Sequence, residues 1–191
     1  MKIKEDARIT KTKERLYRAY LDMLAQKSYE DITINEICVN AGVRRATFYK
    51  HFQDKYDFST AMTATFISLF DANMKNSKYK SFPIEYHIEY EHRLVRYLAQ
   101  NEDIVNRLLK SNLFPALYTL IVQENYKVLK ERLTQSVQNG ERLVASVDTI
   151  ATVLAGGIGT IIGRWFEEGR PTSEEELISE LDKLVYAMFI K

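Results

Sequence analysis

The sequence predicts an all-α protein of about nine helices. Three observations support this prediction. Apolar residues recur at helical spacing along nearly the whole chain, and strand-like alternation of useful length is absent. Only seven glycines and three prolines interrupt the 191 residues. This length allows one domain or two small ones, with enough residues to bury a substantial core.

The helices are placed from apolar periodicity and from the residues that begin and end each run. The predicted helices cover about residues 10–26, 34–41, 44–51, 54–74, 83–100, 101–111, 115–139, 144–168 and 173–191. "KNSKYKSFP" is expected to be a surface connection before the fifth helix, and "NGERL" a turn into the eighth. We predict a domain boundary between residues 57 and 58.

Capping residues mark several of these helix ends. Thr33 and Glu36 have the T-x-x-E spacing of a capping box at the start of the second helix, and Gly42 is placed to end it after about two turns. Ser173 and Glu176 repeat the pattern at the start of the ninth helix. Asp54 is expected to cap the fourth helix.

Charge is distributed unevenly along the chain. The formal net charge is only +1, so attraction to a polyanion requires a local patch. Residues 1–57 carry 12 Lys and Arg against 9 Asp and Glu, which gives this segment a small positive excess. The segment "GVRRATFYKHFQDK" concentrates cations and aromatic rings within it.

The second and third predicted helices, joined at Gly42, have helix-turn-helix geometry. We expect Val43, Phe48 and Phe52 to pack on the first two helices. Arginine can bind guanine O6 and N7, and threonine or alanine can contact a thymine methyl group. The polar side of the third helix and its surroundings is therefore a candidate DNA-binding surface, formed by Arg44, Arg45, Ala46, Thr47, Tyr49, Lys50 and His51.

The stretch "ITINEICVNAGVRRATFYKHFQDKYDF" resembles the DNA-binding domain of the tetracycline-repressor (TetR) family over about residues 10–57. The resemblance implies a three-helix head, with the fourth helix leading into a helical effector-binding and dimerisation domain over residues 58–191. It also implies roles for individual residues. Thr33 and Lys55 would contact phosphates, and Arg45, Ala46 and Tyr49 would face the groove. Thr47, Lys50 and His51 would hold the position of the backbone or the helix.

Arg44 departs from the family pattern, which often has a small capping residue such as serine at this position. This departure implies that the third helix is capped less well, or that Arg44 adds a contact of its own.

The run "LAGGIGTIIGRWFEEG" indicates close helix packing in the C-terminal half. In TetR-like proteins the last two helices of each subunit form a four-helix dimer interface, and the resemblance implies the same here. The predicted interface residues are Gly156, Gly159, Gly163, Trp165, Phe166, Leu181, Leu184, Val185 and Met188. The alternative, in which the glycines pack the eighth helix inside its own subunit, stays open.

A tyrosine-lined ligand pocket is a second expectation for this half. Its candidate residues are Tyr86, Tyr90, Tyr97, Tyr118 and Tyr126, and ordinary half-buried core positions are the alternative for each. Residues 80–190 also loosely resemble TetR-like regulators of the dihydroxyacetone-kinase type. That resemblance leaves a protein partner open as the source of the signal.

Several classes of site are not predicted. A single cysteine, Cys38, excludes a disulfide framework, and we expect no cofactor or metal because His87 and His92 diverge on a helix and are expected to be solvated. We identify no glycine-rich phosphate loop and no nucleophile with a base, so no enzyme is predicted. The uncharged run 149–163 contains four glycines and is shorter than a membrane span.

The sequence therefore predicts a soluble, cytoplasmic, TetR-like transcriptional regulator. We expect a homodimeric repressor that binds a palindromic double-stranded operator and is released by a small-molecule or protein signal. The alternative is a protein-interaction co-regulator that retains the fold but lacks specific DNA binding.

Overall fold

The structure is a computed structural model and describes residues 7–75 and 83–190. These residues form nine helices and one two-stranded antiparallel sheet, which confirms the predicted all-α class. The helices are α1 (Ala7–Leu24), α2 (Ile34–Ala41), α3 (Arg45–Phe48), α4 (Lys55–Lys75), α5 (Ile84–Gln100), α6 (Glu102–Leu109), α7 (Phe114–Gln138), α8 (Val147–Glu167) and α9 (Glu174–Ala187). The strands are β1 (Arg142–Leu143) and β2 (Phe189–Ile190). Most of the predicted connection before α5, residues 76–82, lies outside the described residues.

The short sheet corrects the prediction at two places. Arg142 pairs with Ile190 and Leu143 with Phe189, so the chain before α8 is extended and the last helix ends before the C-terminus. Gly140 turns the chain after α7 with a φ of 102°, and Phe189 is buried. Periodicity could not reveal this pairing because each strand has only two residues and its partner is distant in sequence.

The structure divides into two compact units. The first comprises Met1–Thr63 and Asp103–Pro115, and the second Ala64–Glu102 and Ala116–Lys191. The segment 103–115 therefore packs with the N-terminal head, and the backbone N–H of Asn112 donates to Glu30 over 2.9 Å. Sequence reasoning did not anticipate this packing, and the predicted boundary between residues 57 and 58 remains a prediction.

An aromatic cluster forms the core of the first unit. Its rings lie 5.0–6.3 Å apart and belong to Tyr17, Tyr20, Phe48, Phe52 and Phe58. Phe48 and Phe52 are 0% and 4% exposed, as the sequence predicted. Their burial joins the segment after Gly42 to α1 and α4, so the polar residues between them are held on a fixed support.

The core of the second unit is built from α5, α8 and α9. Trp165, Phe166, Leu181 and Val185 are each at most 4% exposed within the single chain. This burial corrects the prediction that these four residues contact a partner subunit. Their side chains pack inside the chain, because they lie on the faces of α8 and α9 that are directed toward the core.

The connection from α8 to α9 fixes the side chain of Trp165. Arg170 adopts the left-handed region with a φ of 58°, and its guanidinium lies 4.6 Å from the Trp165 ring centroid. The indole N–H donates to the carbonyl of Thr172 over 3.0 Å, and Arg170 pairs with Glu102 over 2.8 Å. These contacts tie the turn to the start of α6.

Among the described helices, α8 is the one whose length and hydropathy would suffice to cross a membrane. It has 21 residues, and its most apolar 18-residue stretch has a mean hydropathy of 1.3 and is 44% buried within the fold. Burial of that kind is also found in core helices of proteins that have no membrane span.

Candidate nucleic-acid interface and effector cavity

Helix α2 leads into the turn before α3, and both of its ends are fixed by capping contacts. The Thr33 hydroxyl accepts from the Glu36 N–H over 3.2 Å, and the Glu36 carboxylate accepts from the Thr33 N–H over 2.9 Å. This is the predicted capping box. Gly42 closes the helix in the left-handed region, with a φ of 60°. A Cβ at this position would lie 2.5 Å from the guanidinium of Arg15, which donates to the Gly42 carbonyl.

The carboxylate of Glu36 is held ionised by its neighbours. The Lys27 ammonium lies 2.6 Å away and, with the bonds from Thr33, lowers the pKa of Glu36 to about 2. The capping box therefore stays intact throughout the neutral pH range.

Helix α3 is shorter than predicted. It spans Arg45–Phe48, and Arg44 occupies its N-cap position without a side-chain hydrogen bond to the helix. The absence of that bond agrees with the expectation that arginine caps this helix less well than serine would. The chain continues through a turn to Phe52, so the predicted span 44–51 combines one helical turn with the turn that follows it.

The polar residues around α3 form one accessible patch, which we name the recognition surface. Five of its members are exposed and two, Thr47 and His51, are half-buried. The exposed members are Arg44, Arg45, Ala46, Tyr49 and Lys50. Within the described parts of the chain, Arg44 and Lys50 make no ion pair, so their charge is available to an external anion.

Arg45 and Tyr49 are held together on this surface. An Arg45 guanidinium nitrogen lies 3.4 Å from the Tyr49 hydroxyl, and the guanidinium carbon lies 5.8 Å from the ring centroid. The Tyr49 ring packs edge-on against the buried Phe48 at 5.5 Å. This packing orients a half-exposed tyrosine and an arginine toward the same side of the head.

The side chain of Lys55 is engaged inside the head. Its Nζ donates to the carbonyls of Tyr29 and Ile32, each over 2.7 Å, and lies 4.1 Å from the Tyr29 ring centroid. This geometry corrects the predicted phosphate contact of the ammonium, because reaching a phosphate would require leaving these acceptors. Sequence reasoning could not find the role, since the acceptors are backbone atoms more than twenty residues away.

The outer face of α8 is uncharged and partly apolar. Val153 is 46% exposed, and Gly157 and Thr160 are exposed beside the half-buried Gly156. A Cβ at Gly156 or Gly157 would meet no described atom within 4 Å. These residues lie at i, i+3, i+4 and i+7 and therefore share one face. Val153, Gly157 and Thr160 are additions to the predicted dimer set.

The other predicted interface residues differ in their surroundings. Leu184 is 42% exposed, and Met188 and Gly163 are half-buried. A Cβ at Gly159 would lie 3.8 Å from the ring of Tyr118. Gly159 therefore packs within its own chain, which is the alternative that the sequence left open, whereas Gly156 and Gly157 face outward.

Three of the five tyrosines predicted to line one pocket pack between helices instead. The Tyr118 hydroxyl is 2.6 Å from the Thr160 hydroxyl, and the Tyr126 hydroxyl donates to Asp148 over 2.5 Å, so both join α7 to α8. Tyr97 packs against Phe66 at 5.0 Å. Their hydroxyls and rings are used in helix packing, and this corrects the prediction that all five line one pocket.

The remaining two tyrosines line a small cavity between α5 and α7. Its volume is about 20 Å³, and it is lined by Tyr86, His87, Tyr90 and Glu91 from α5 and by Asn125, Val128, Leu129 and Arg132 from α7. We name it the effector cavity. Glu91 and Arg132 were not among the predicted pocket residues, although Glu91 falls at core spacing between Ile88 and Val95 and Arg132 at core spacing between Leu129 and Ser136.

The two ionisable residues of the effector cavity are deeply buried. Glu91 is 6% exposed and Arg132 3%. Burial raises the pKa of the Glu91 carboxyl to about 8 and lowers the pKa of Arg132 to about 10. The Arg132 guanidinium lies 4.5 Å from the Tyr86 ring centroid. Within the described residues, Oε2 of Glu91 has no hydrogen-bond partner.

The prediction that the two histidines of α5 are solvated is wrong. His87 is 3% exposed, with Nε2 3.4 Å from the Ser136 hydroxyl. His92 pairs with Asp182 over 2.8 Å and so joins α5 to α9. In the part of the chain that the structure describes, no group of three or more His, Cys, Asp or Glu could hold a metal ion.

Comparison with known proteins agrees with both halves of the fold. The model for bacterial regulatory proteins of the tetR family matches residues 16–62, and a transcriptional regulator C-terminal region matches residues 87–187. An uncharacterised HTH-type transcriptional regulator, YxbF of Bacillus subtilis (strain 168), is 43% identical over 58 residues. That match covers 30% of this chain and only 15% of YxbF.

Solved structures share the fold at low identity. The dihydroxyacetone kinase operon activator DhaS is 19% identical, with a TM-score of 0.68 over 92% of this chain and 94% of its own. A TetR-family regulator from Syntrophomonas wolfei is 17% identical, with a TM-score of 0.74 over 93% of this chain and 94% of its own. The two matched family regions, the helix-turn-helix geometry and the helical C-terminal unit lead to one conclusion: the chain belongs to the tetR family of bacterial transcriptional regulators.

Proposed function

We propose that the chain regulates transcription by placing the recognition surface in the major groove of a palindromic double-stranded operator. The observation that carries this proposal is the exposure of Arg44, Arg45, Tyr49 and Lys50 on a segment whose Phe48 is fully buried. Exposed cations held on a buried apolar support are what binding a polyanion requires. Residues 58–191 together carry 15 Lys and Arg against 17 Asp and Glu, so the positive excess of the chain lies in its N-terminal segment.

The members of the recognition surface divide into base-reading and positioning residues. Arg45 can bind guanine O6 and N7, and the Ala46 methyl group can contact a thymine methyl. Lys50, Tyr49 and the exposed Thr33 are placed to contact phosphate, which sets the register of the helix without reading sequence. Thr47 and His51, being half-buried, support the position of α3.

The outer face of α8 supports a homodimer. One short recognition helix reads few base pairs, whereas two related by a two-fold axis read a palindrome with half-sites about 34 Å apart. We propose that Val153, Gly156, Gly157 and Thr160, with Leu184 of α9, contact the same residues of a second copy. The exposed glycines allow two α8 backbones to approach closely. Packing between these backbones would offset the low helix propensity of glycine.

The dimer proposal is tested with a pair of matched variants. Val153→Glu introduces a charge on the outer face of α8, and Val137→Glu introduces the same charge on α7 at a similar exposure, 42% against 46%. Light scattering after size-exclusion chromatography is expected to show a monomer for Val153→Glu and a dimer for both Val137→Glu and the unmodified chain. A dimer for both variants would remove α8 from the interface.

Regulation is proposed to act as a population shift. A small molecule or a protein partner, bound at the second unit, would favour an arrangement of subunits in which the two recognition surfaces no longer fit successive major grooves. Release from DNA would then relieve repression in the cytoplasm. No catalytic role is proposed, since the family consists of transcriptional regulators.

Selection of DNA from a random duplex pool tests the proposed function. The unmodified chain is expected to enrich a two-fold symmetric consensus whose half-sites are about one helical turn apart. Arg45→Ala is expected to relax the choice of base at one position of each half-site, with a loss of about 1–3 kcal/mol. No enrichment from a folded dimer would favour the co-regulator without specific DNA binding.

A further inference from the structure

A second concave surface lies on the N-terminal head, between α1 and the C-terminal end of α2. Its volume is about 670 Å³, and we name it the α1 groove. Buried residues form its floor, and exposed polar or charged side chains form its rim. The floor residues are Ala19, Met23 and Ala41, and the charged rim residues are Lys11, Glu14, Arg15, Arg18 and Asp22.

Two contacts join α1 and α2 along this groove. The guanidinium of Arg15 donates to the carbonyl of Gly42 over 3.1 Å, and the side-chain amide of Asn40 donates to the sulfur of Met23 over 3.3 Å. Gly42 stands two residues before Arg44, the first member of the recognition surface. The α1 groove and the recognition surface are therefore attached to the same turn and adjoin each other on the head.

The three cations of the rim share one face of α1. Lys11, Arg15 and Arg18 fall at i, i+4 and i+7. Within the described part of the chain, neither Lys11 nor Arg18 forms an ion pair or a side-chain hydrogen bond, although acids lie one turn away on the same helix. Both charges are thus exposed and available to an external anion.

The form of the groove favours an extended anion over an enclosed small molecule. Ligand pockets normally bury most of the surface of their ligand, whereas the charged and polar side chains of the α1 groove are all exposed. Lys11 and Arg18 are separated by about 10 Å along the helix, so they can contact different phosphates of one strand. Duplex DNA provides such an anion, with a phosphate about every 3.4 Å of helix axis on each strand.

We propose that the α1 groove binds the phosphate backbone beside the major groove that the recognition surface enters, with Lys11 and Arg18 as direct phosphate contacts. A helix in the major groove has a phosphate strand on each side, and contacts with these strands set its register. The inference rests on the proposed function in one respect, because it takes the recognition surface to lie in that groove. Operator affinity then depends on α1 as well as on α2 and α3.

Fluorescence-anisotropy titration of the full-length chain tests the proposal. The duplexes are the operator selected from the random pool and a scrambled control, each at several salt concentrations. Lys11→Gln and Arg18→Gln should each lower affinity for both duplexes roughly fivefold to tenfold at about 0.1 M salt. Each should reduce the salt slope by about 1, and the double variant by about 2. The selected consensus should not change, because phosphate contacts carry no sequence information.

Two further substitutions control for the position and the sign of the charge. Arg142→Gln removes an exposed cation from β1 in the second unit and should leave both affinity and salt slope unchanged. Glu14→Gln removes an acid that lies between the two cations on α1, and it should raise affinity for both duplexes roughly twofold to fivefold. Unchanged affinity and salt slope in the double variant, or an equal loss in Arg142→Gln, would overturn the proposal and leave the groove to a partner other than DNA.

Ethylation interference gives a second reading on the unmodified chain. Ethylation of the phosphates that flank each half-site should block binding, because it removes the charge that Lys11 and Arg18 would meet. The double variant should become insensitive to ethylation at those positions and keep its sensitivity within the half-site. Flanking phosphates that have no effect on the unmodified chain would overturn the proposal.

The same titrations separate this proposal from the proposed function. Selective operator binding that is weakened in the double variant supports both. Selective binding that the double variant leaves unchanged would overturn the α1 contact and leave DNA regulation standing. Salt-dependent binding without selectivity, weakened in the double variant, would support the α1 groove as a phosphate-binding surface and overturn the proposed function.

Discussion

Lys55 provides a test of whether the structure distinguishes cations that build the head from cations that meet DNA. Lys55→Met removes two hydrogen bonds of 2.7 Å to the carbonyls of Tyr29 and Ile32 and the contact with the Tyr29 ring. Hydrogen bonds from charged donors contribute roughly 1.5–3 kcal/mol each. Because Lys55 is half-buried and water can replace part of this loss, we expect the free energy of unfolding to fall by about 2–4 kcal/mol.

Thermal unfolding followed by circular dichroism measures this loss. A decrease of about 2–4 kcal/mol corresponds to a Tm lower by roughly 4–16 °C in a chain of this size. Lys50→Met is the matched control, because Lys50 is exposed and its removal should change stability by no more than about 0.5 kcal/mol. In DNA binding, Lys50→Met should reduce the salt slope by about 1. An unchanged Tm for Lys55→Met with a large loss of DNA affinity would refute the assignment and restore a phosphate contact for its ammonium.

Three further predictions concern stability, each measured by urea unfolding. Gly42→Ala should lower the free energy of unfolding by about 1–2 kcal/mol, because alanine is strained at a φ of 60° and its Cβ would displace the Arg15 guanidinium; an unchanged value would contradict the left-handed turn. Thr33→Ala should cost about 1 kcal/mol through loss of the capping bond to Glu36; equal stability would show that the cap contributes nothing. The folded chain retains the Glu91 proton between the unfolded pKa of 4.5 and the folded pKa of about 8, so stability should fall as pH rises through this window, by up to about 5 kcal/mol. Glu91→Gln should flatten this dependence, and parallel curves for the two chains would place the titration elsewhere.

Features set by neighbouring residues were predictable from the sequence. The capping boxes at Thr33 and Ser173 depend on a side chain three positions away, and the structure confirms both. The burial of Phe48 and Phe52 is expected from their residue type, which is usually buried, and it is also confirmed. Local rules succeed here because the interacting groups are fixed by helix geometry alone.

Features that depend on distant partners were not predictable in the same way. Lys55 in the sequence is one more cation near a DNA-binding segment, and only the fold shows its ammonium among carbonyls. Glu91 and Arg132 fall at core spacing, but their charged side chains argue against burial, and only the packing of α5 on α7 shows that both are buried. Trp165 has the composition of an interface anchor, but the turn at Arg170 directs it into the core of the chain. In each case the choice among several available faces is made by tertiary packing.

The central claim is that the recognition surface binds operator DNA selectively. Fluorescence-anisotropy titration of the purified chain against its own upstream DNA and a scrambled duplex, at several salt concentrations, tests it most directly. We predict an affinity for the upstream DNA at least about 10³-fold above that for the scrambled duplex, a steep decrease with salt, and loss of the difference in Tyr49→Ala. Equal, weak binding to both duplexes would contradict the claim and favour a regulator that acts through protein partners.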